Sequence, residues 1–451
     1  MKEAQLILRH TGTVLVGQLA VVSFGVADTV IAGRYSDTAL AALSVGSAIY
    51  VSVYVGLIGV IQALLPIWAQ MRGARQLHAV GQSVRQGLYL CALLSAAGMA
   101  VLLLPGRLLQ WADIPEAMQG EVRDYLAVLA LAFAPSLLFR LYSTLNQALG
   151  KPLLITWLQI GALAVKIPLS IWFVAGGAGL APQGAVGCAW ATLLVNYLLL
   201  LMAVLLLRSN SIYWPYRIWA RMERPDWRQI AGFLRLGLPA GLSFMVEVTS
   251  LTLMALFIAR LGIVAAASHQ IAANLAALLY MVPLSLAIAS SARVSYWIGA
   301  GEPAKARRIV GVSLGLSALS ASILALSLWL LSQQIPTWYS RNPAVVLTAS
   351  SLLGWVALYH VADSLQAVCA FMLRCYRITL TPLVIYGALL WGIGLAGGYF
   401  LAYVGSAGVP AAPMPGSFWT AATLALGAVA LSFLWLLGRA VRQPRPDTPA
   451  H

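Results

Sequence analysis

Three carboxylates lie inside otherwise apolar stretches of the sequence. They are Asp28 in SFGVADTVIAG, Glu247 in MVEVTSLTL and Asp363 in HVADSLQAV. The remaining ten of the thirteen acidic residues fall in loops or termini. If the stretches cross a membrane, one central Asp costs about 2.5–3.5 kcal/mol on insertion scales. Three such groups therefore indicate a functional role.

Helical spacing gives these carboxylates polar neighbours. Tyr359 and Gln366 precede and follow Asp363 by four and three residues, and Glu247 lies in a similar stripe of serines. Residues at these spacings share one helix face. Tyr, Glu and Asp oxygens are hard ligands that suit Na⁺, and the same carboxylates can carry protons. The alternative is that each carboxylate only hydrogen-bonds across a helix interface.

Lys166, in LAVKIPLSIW, is the only basic residue that we place deep in an apolar stretch. A buried ammonium group needs an anionic partner. Asp28 is the only carboxylate inside an apolar stretch in the same half of the chain, so we predict an ion pair between them. The alternative is that Lys166 extends toward a membrane interface.

The composition indicates which elements position these residues. The chain has 451 residues, of which 61% are hydrophobic and 9% charged, whereas soluble domains carry about 25% charged residues. Apolar runs of about 20 residues predict transmembrane helices. We predict twelve, at residues 11–33, 42–68, 84–104, 123–147, 153–175, 184–207, 231–260, 266–292, 307–331, 345–374, 380–403 and 418–439.

The net charge of +15 follows the predicted topology. With a cytoplasmic N-terminus, 22 of the 28 Lys and Arg residues fall on the cytoplasmic side and five on the opposite side. This asymmetry is what the positive-inside rule predicts, so the basic character requires no nucleic acid partner. We expect a multi-pass protein of the cell inner (cytoplasmic) membrane with both termini in the cytoplasm.

A weak internal repeat divides the chain into halves. RYSDTALAALSVG from Arg34 pairs with RLGIVAAASHQIA from Arg260, and APSLLFRLY from Ala134 pairs with ADSLQAVCA from Ala362, at offsets of 226 and 228 residues. Six spans per half give both halves the same orientation. The fold class predicted is an all-α integral membrane protein with two six-helix bundles related by a parallel, pseudo-twofold repeat.

The predicted domain boundaries follow from this repeat. Residues 1–207 form an N-terminal lobe, 208–230 a linker, 231–440 a C-terminal lobe and 441–451 a cytoplasmic tail. The linker interleaves five arginines with Trp and Tyr. We expect its aromatic rings to lie at the level of the lipid headgroups on the cytoplasmic side.

Several segments together resemble the multidrug and toxic compound extrusion (MATE) family, in its NorM-like branch. They are GVADTVIAG around Asp28, GAVGCAWAT from Gly184, MVEVTSLTLMALFIARLG around Glu247, the segment from Ala267 to Gly301, and ALYHVADSLQAVCAFMLRCYR around Asp363. The resemblance implies a two-lobed antiporter that expels amphipathic, mostly cationic drugs and dyes while Na⁺ or H⁺ enters, by alternating access of the lobes.

The resemblance also implies roles for individual residues. By position, Glu247 and Asp363 match the family's second-lobe cation site, and Tyr359 matches its aromatic oxygen ligand. Asp28 matches the first-lobe acid that is linked to protons and substrate. The metal ion implied is Na⁺ at Glu247, Asp363 and Tyr359, with H⁺ as the other possible coupling ion.

Two further positions match, and two depart from the pattern. Gln270 and Asn274 fall where the branch lines its drug cavity. Lys166 stands where similar sequences have an asparagine, and Ser170 replaces a second asparagine. Because both departures fall in the first lobe, Lys166 joins Asp28 as a candidate for coupling to protons or substrate.

Two other functions stay open on the sequence alone. A lipid-linked precursor flippase of a related fold would need a cationic cavity, and Lys166 alone supports it. A membrane enzyme with paired carboxylates as acid and base would show clustered His, Asp or Ser motifs, and the sequence has no nucleophile, zinc or phosphate-loop motif. We therefore expect a monomeric transporter for small molecules in the lipid bilayer, with no enzymatic activity and no cofactor.

Overall fold

The computed structural model describes residues 2–104, 116–177, 179–405 and 410–442, which are almost entirely helical. Twelve helices are long and apolar enough to cross a membrane. They are α1 (Glu3–Tyr35), α2 (Asp37–Gly73), α3 (Leu77–Leu103), α4 (Met118–Ala148), α5 (Pro152–Ala175), α6 (Ala185–Ser209), α7 (Trp227–Ala259), α8 (Ile263–Gly299), α9 (Pro303–Leu330), α10 (Pro343–Cys375), α11 (Leu380–Val404) and α12 (Pro415–Arg442). The twelve predicted spans and the all-α fold class are confirmed. Residues 443–451 of the predicted tail lie outside the described ranges.

The helix ends follow local sequence signals. Ser36 lies between α1 and α2, and its hydroxyl accepts the Ala39 N–H at 3.1 Å. Asn342 accepts the Ala344 N–H at 3.0 Å in the same way at the start of α10. Gly262, between α7 and α8, has a φ of 110°, which a residue with a side chain rarely adopts. These caps satisfy backbone groups that a helix end leaves without partners.

Two of the long helices are irregular. α2 is interrupted at Ala63, between helical segments Asp37–Gln62 and Leu64–Gly73. α11 contains π-helical stretches at Gly387–Ala396 and Phe400–Val404. Such π-helical turns often occur at functional sites, and Glu247 and Asp363 belong to the same compact unit as α11.

The N-terminal unit comprises Gly12–Gly241 and Gly299–Gly301. Its most buried helix is α4, which packs against α2, α3 and α6. The Phe133 side chain of α4 is fully buried, as is Trp68 of α2. The Trp68 indole N–H donates to Ser83 Oγ at 2.9 Å, so this buried polar group is satisfied.

Residues 208–230 pack onto α3 within this unit. Tyr213 and Tyr216, in the 3₁₀ turn Ser211–Tyr216, are buried against the protein; that the aromatic rings of this segment lie at the level of the lipid headgroups stays a prediction. Arg85 of α3 forms a bidentate pair with Glu223, in which Nε donates to Oε2 at 2.7 Å. The Tyr213 hydroxyl turns inward to donate to Asn146 Oδ1 at 2.7 Å, while Trp214 is 68% exposed.

The C-terminal unit comprises Leu242–Ile298 and Glu302–His451, together with Met1–Thr11. Its central helix is α10, which packs against α9 and α12. Phe418, Trp419 and Phe433 of α12 are fully buried in its aromatic core. α1 and α7 each contribute residues to both units. The lobe boundaries predicted at residues 207 and 231 stay a prediction.

Candidate functional site

The Asp28 carboxylate lies in a buried polar cluster of the N-terminal unit. Lys166 Nζ is 2.9 Å from Asp28 Oδ2, and the Ser170 hydroxyl donates to Oδ1 at 3.1 Å. α1 supplies the acid and α5 supplies both partners, one turn apart. The ion pair predicted from the sequence is present. Since Lys166 is only 1% exposed, the alternative that it extends to an interface is wrong.

The Lys166 ammonium group has a second partner on α6. It donates to Thr192 Oγ1 at 2.6 Å, and the Thr192 hydroxyl donates to the Cys188 carbonyl at 2.8 Å. The Cys188 thiol in turn lies 3.9 Å from the Asp28 carbonyl oxygen. Three helices are therefore joined through one neutral ion pair. Sequence reasoning did not assign Thr192, because only the packing of α5 on α6 brings it to Lys166.

A second polar cluster lies in the C-terminal unit, where one amide bridges two carboxylates. The Gln366 side-chain NH₂ donates to Asp363 Oδ1 at 2.9 Å and to Glu247 Oε1 at 3.3 Å. The two carboxylate oxygens are thus at most 6.2 Å apart, the sum of those two distances. Asp363 is 4% exposed and Gln366 fully buried. Two ionised carboxylates this close repel strongly in a medium of low dielectric constant, so a bound cation or proton stabilises them.

Tyr386 completes the bridge from α11. Its hydroxyl donates to Gln366 Oε1, which fixes the amide so that its NH₂ points at the carboxylates. The indole of Trp391, also on α11, donates to the Val246 carbonyl at 3.3 Å. Sequence reasoning missed Tyr386 because it lies on another helix, α11, and so shares no helical spacing with Asp363 on α10. Its position just before the π-helical stretch of α11 is the local signal that could have indicated it.

A small cavity adjoins this cluster. Its volume is about 20 Å³, the scale of a single water molecule or ion. Glu247 and Tyr359 line it together with apolar residues such as Leu251 and Leu390. Among the described residues, no three His, Cys, Asp or Glu side chains are grouped as for a transition metal. Oxygen ligands from two carboxylates and a phenol fit Na⁺ or protons.

Gln270 and Asn274 lie apart from this cavity, one turn from each other on α8. Both side chains are exposed, and the Gln270 amide donates to Asn274 Oδ1 at 3.0 Å. In the described part of the chain, no hydrogen bond connects either residue to Glu247 or Asp363. The structure therefore brings these two residues together as a separate polar pair.

Lys166 is not the only cation inside a helix, contrary to the sequence-based interpretation. Arg140 was counted among the cytoplasmic basic residues although the predicted span 123–147 contains it, and in the structure it lies within α4. Its Nη2 donates to Gln62 Oε1 at 2.9 Å, beside the interruption of α2. In the C-terminal unit, the Arg374 guanidinium is buried over the Phe371 ring at 4.4 Å. Both were missed because each lies near a predicted span end.

Twelve long apolar helices, with ionisable side chains buried in polar clusters rather than exposed at a surface, define a class of protein: the membrane transporters. The MatE family model matches residues 14–172 and 239–400. The chain belongs to the MatE family, as the sequence resemblance implied. The two matched segments begin 225 and end 228 residues apart, which agrees with the offsets of the internal repeat.

Relatives of known name cover nearly the whole chain. The probable multidrug resistance protein NorM of Aromatoleum aromaticum is 39% identical over 439 residues, which span 97% of this chain and 95% of that protein. The multidrug resistance protein PmpM of Pseudomonas aeruginosa is 32% identical, over 98% of this chain and 92% of that protein. These relatives confirm that the protein is a transporter rather than an enzyme.

Solved structures share the fold. The eukaryotic MATE transporter AtDTX14 superposes with a TM-score of 0.85 and 18% identity, and 98% of each chain is covered. The Vibrio cholerae MATE transporter VcmN, in its bent form, gives 0.85 at 16% identity, with 97% of each chain covered. At such low identity the likeness concerns the architecture alone.

Proposed function

We propose that the protein is a secondary active multidrug efflux antiporter. It exports amphipathic, mostly cationic drugs and dyes in exchange for inward movement of Na⁺ or H⁺, through alternating access of its two lobes. Its site of action is the inner membrane, with both termini in the cytoplasm, and its working form is a monomer. The names of the relatives, which are multidrug resistance proteins, support the drug substrates.

The observation that carries this proposal is the bridge of Glu247, Gln366 and Asp363. The shared donor is neutral, so two carboxylates at most 6.2 Å apart carry one negative charge more than the nearby buried Arg374 guanidinium compensates. Na⁺ or H⁺ stabilises the pair when it binds there, and Glu247, Asp363 and Tyr359 are the side chains that hold it. The neighbouring cavity gives room for one such ion beside Glu247 and Tyr359.

Coupling follows from charge. A cationic drug is favoured by a negative C-terminal lobe, and a bound Na⁺ or H⁺ removes that negative charge. The drug and the ion therefore disfavour each other's binding, which is the negative linkage that an exchanger needs. With the ion bound from the outside, the drug dissociates outward, and loss of the ion to the cytoplasm restores the site.

Asp28 and Lys166 act as the coupling group of the N-terminal lobe. Their pair is neutral while it is intact. A proton on Asp28, or a cationic substrate at its carboxylate, breaks the pair and leaves Lys166 charged with Thr192 as its partner. This would make the electrostatic state of the first lobe depend on protons or substrate. Gln270 and Asn274 contribute polar contacts for the drug from α8.

The lipid-linked flippase gains no support from the structure. That alternative rested on Lys166 as a free cation for an anionic headgroup, and Lys166 is instead paired with Asp28. The neutral pair offers no net positive charge to an anionic headgroup.

The proposal is tested by transport of a fluorescent cationic dye in proteoliposomes. Na⁺ and H⁺ gradients are imposed separately on the native protein and on Glu247→Gln and Asp363→Asn. Dye movement driven by one gradient, and lost in both variants, is the expected result and identifies the ion. Dye movement that neither gradient alters would contradict the proposal.

Asp124→Asn provides a matched control. Asp124 is an exposed aspartate of α4, and the substitution makes the same chemical change as Asp363→Asn without touching either cluster. Its transport should equal that of the native protein. A loss as large as that of Asp363→Asn would mean that the buried position has no special role.

A further inference from the structure

A cavity of about 390 Å³ lies in the C-terminal unit, where α1 and α9 begin and α8 ends. Glu3 and Ala4 of α1 and Trp297 of α8 form one side. The other side is one face of the first turns of α9, with Lys305, Arg308, Ile309 and Val312. These four residues follow an i, i+3, i+4, i+7 pattern, so they share one face of the helix.

The charges around this cavity do not cancel. Arg293 neutralises the Glu3 carboxylate, since its Nε donates to Oε2 at 3.0 Å and its Nη2 to Oε1 at 2.5 Å. Lys305 forms an exposed pair with Glu302 at 3.1 Å. Arg308 is exposed and has no ion-pair partner among the described residues. The cavity therefore carries an uncompensated guanidinium group at its rim.

The rest of the wall is amphipathic. The Trp297 ring lies between two cations, with Lys305 Nζ 4.6 Å and the Arg293 guanidinium carbon 5.7 Å from its centroid. Ala4, Ile309 and Val312 are apolar and lie beside the basic residues. Cationic groups at the rim and aliphatic groups below match a molecule with an anionic head and an apolar body.

We propose that this cavity binds the headgroup of an anionic phospholipid. Arg308 and Lys305 contact the phosphodiester, Trp297 lies against the glycerol region, and Ile309 and Val312 contact the first acyl carbons. Helix ends of membrane spans lie at headgroup level, and this end is on the side where the basic residues accumulate, which attracts anionic lipids. This inference is independent of the transported substrate and of the coupling ion.

The test is native mass spectrometry of the full chain in detergent with added phosphatidylglycerol, phosphatidylcholine or inorganic phosphate. The native protein should retain phosphatidylglycerol in preference to phosphatidylcholine. The double variant Lys305→Gln/Arg308→Gln should lower phosphatidylglycerol retention about tenfold, because each basic group contributes electrostatic attraction. Retention of phosphatidylcholine should not change.

Arg307→Gln is the matched control. Arg307 is the exposed neighbour of Arg308, but its Nη2 donates to the Val441 carbonyl at 3.2 Å and it does not line the cavity. Retention within about twofold of the native protein is expected, as for a surface charge outside a site. Equal losses in Arg307→Gln and in the double variant would overturn the proposal. So would equal retention of the two lipids, or displacement of phosphatidylglycerol by inorganic phosphate, which would indicate a site for a free anion.

Discussion

Lys166 Nζ lies 2.9 Å from Asp28 Oδ2, and the Ser170 hydroxyl donates to the other oxygen of this carboxylate, Oδ1, at 3.1 Å. Both partners of the Asp28 carboxylate therefore lie on one helix, α5. A lysine supplies a fixed positive charge where an asparagine would supply only hydrogen bonds. Asp28 in this chain is held by an ion pair that a proton or a substrate has to break.

The stability of this pair can be measured with single and double variants. Lys166→Met leaves Asp28 buried without its counterion and should lower the free energy of unfolding by about 3–5 kcal/mol. Asp28→Asn should be similarly damaging, because it leaves the ammonium group uncompensated. Lys166→Met/Asp28→Asn should recover most of the loss, since no buried charge remains. Thermal unfolding in detergent checks all three proteins.

The double variant decides this prediction. If the double variant is less stable than the native protein by the full sum of the two single effects, the two side chains do not interact energetically. The account of Asp28 as an ion-paired group would then be wrong.

Variants of Tyr386 and Gln366 distinguish the residue that orients the bridge from the residue that forms it. Tyr386→Phe removes one donor to Gln366 Oε1 and should cost about 1 kcal/mol of stability with transport largely retained. Gln366→Leu leaves Glu247 and Asp363 without their shared donor, so the cation or proton is held permanently and dye transport should fall about tenfold or more. Proteoliposome assays of the two variants in parallel test this order. Full transport in Gln366→Leu would contradict it.

The sequence predicts the spans well because an apolar run long enough to cross a bilayer has few alternatives. It also identifies Asp28, Glu247 and Asp363, since a carboxylate in such a run stands out. It does not predict that Gln366 joins Glu247 to Asp363, because that contact depends on how α7 packs on α10. Tyr386 has the same difficulty. Glu247 and Tyr386 lie on other helices than Gln366. Spacing along one helix carries no information about the residues of another helix.

Gly81 tests the attachment of residues 208–230. A Cβ at Gly81 would lie 1.8 Å from the Tyr216 carbonyl oxygen, so Gly81→Ala must displace backbone. We expect a loss of about 1–3 kcal/mol and faster trypsin cleavage after Arg217 and Arg221. A Cβ at Gly161 meets nothing within 4 Å, so Gly161→Ala should be neutral or slightly stabilising. Equal behaviour of the two variants would contradict the close contact.

The same segment should respond to acid. The hydrogen bonds from Arg85 lower the pKa of Glu223 below its ordinary value of 4.5. Because the folded state favours the ionised carboxylate, its contribution is fully present above pH 4.5 and is lost as the pH falls through the lower folded pKa. In this acidic pH range the segment is probed by digestion with pepsin instead of trypsin. Cleavage within residues 208–230 should rise on acidification in the native protein and depend less on pH in Glu223→Gln. Identical pH profiles of the two proteins would refute the role of the Arg85–Glu223 pair.

Arg140 shows where sequence reasoning on charge fails. The positive-inside rule assigns each basic residue to one membrane face, and Arg140 was counted on the cytoplasmic side although the predicted span 123–147 contains it. The helix continues to Ala148 and the guanidinium turns inward to Gln62. The break in α2 at Ala63 places that glutamine within reach, and nothing in the local sequence of α4 reveals the break.

Exchange between drug and cation is the central claim, and reverse coupling tests it most directly. Proteoliposomes with an outward dye gradient and no ion gradient are monitored for uptake of radioactive Na⁺ and for internal acidification. The account predicts that dye efflux drives one of these cations inward in the native protein, and that Glu247→Gln and Asp363→Asn abolish the coupled movement. Dye efflux by the native protein with no movement of either cation would show a uniporter and contradict the account.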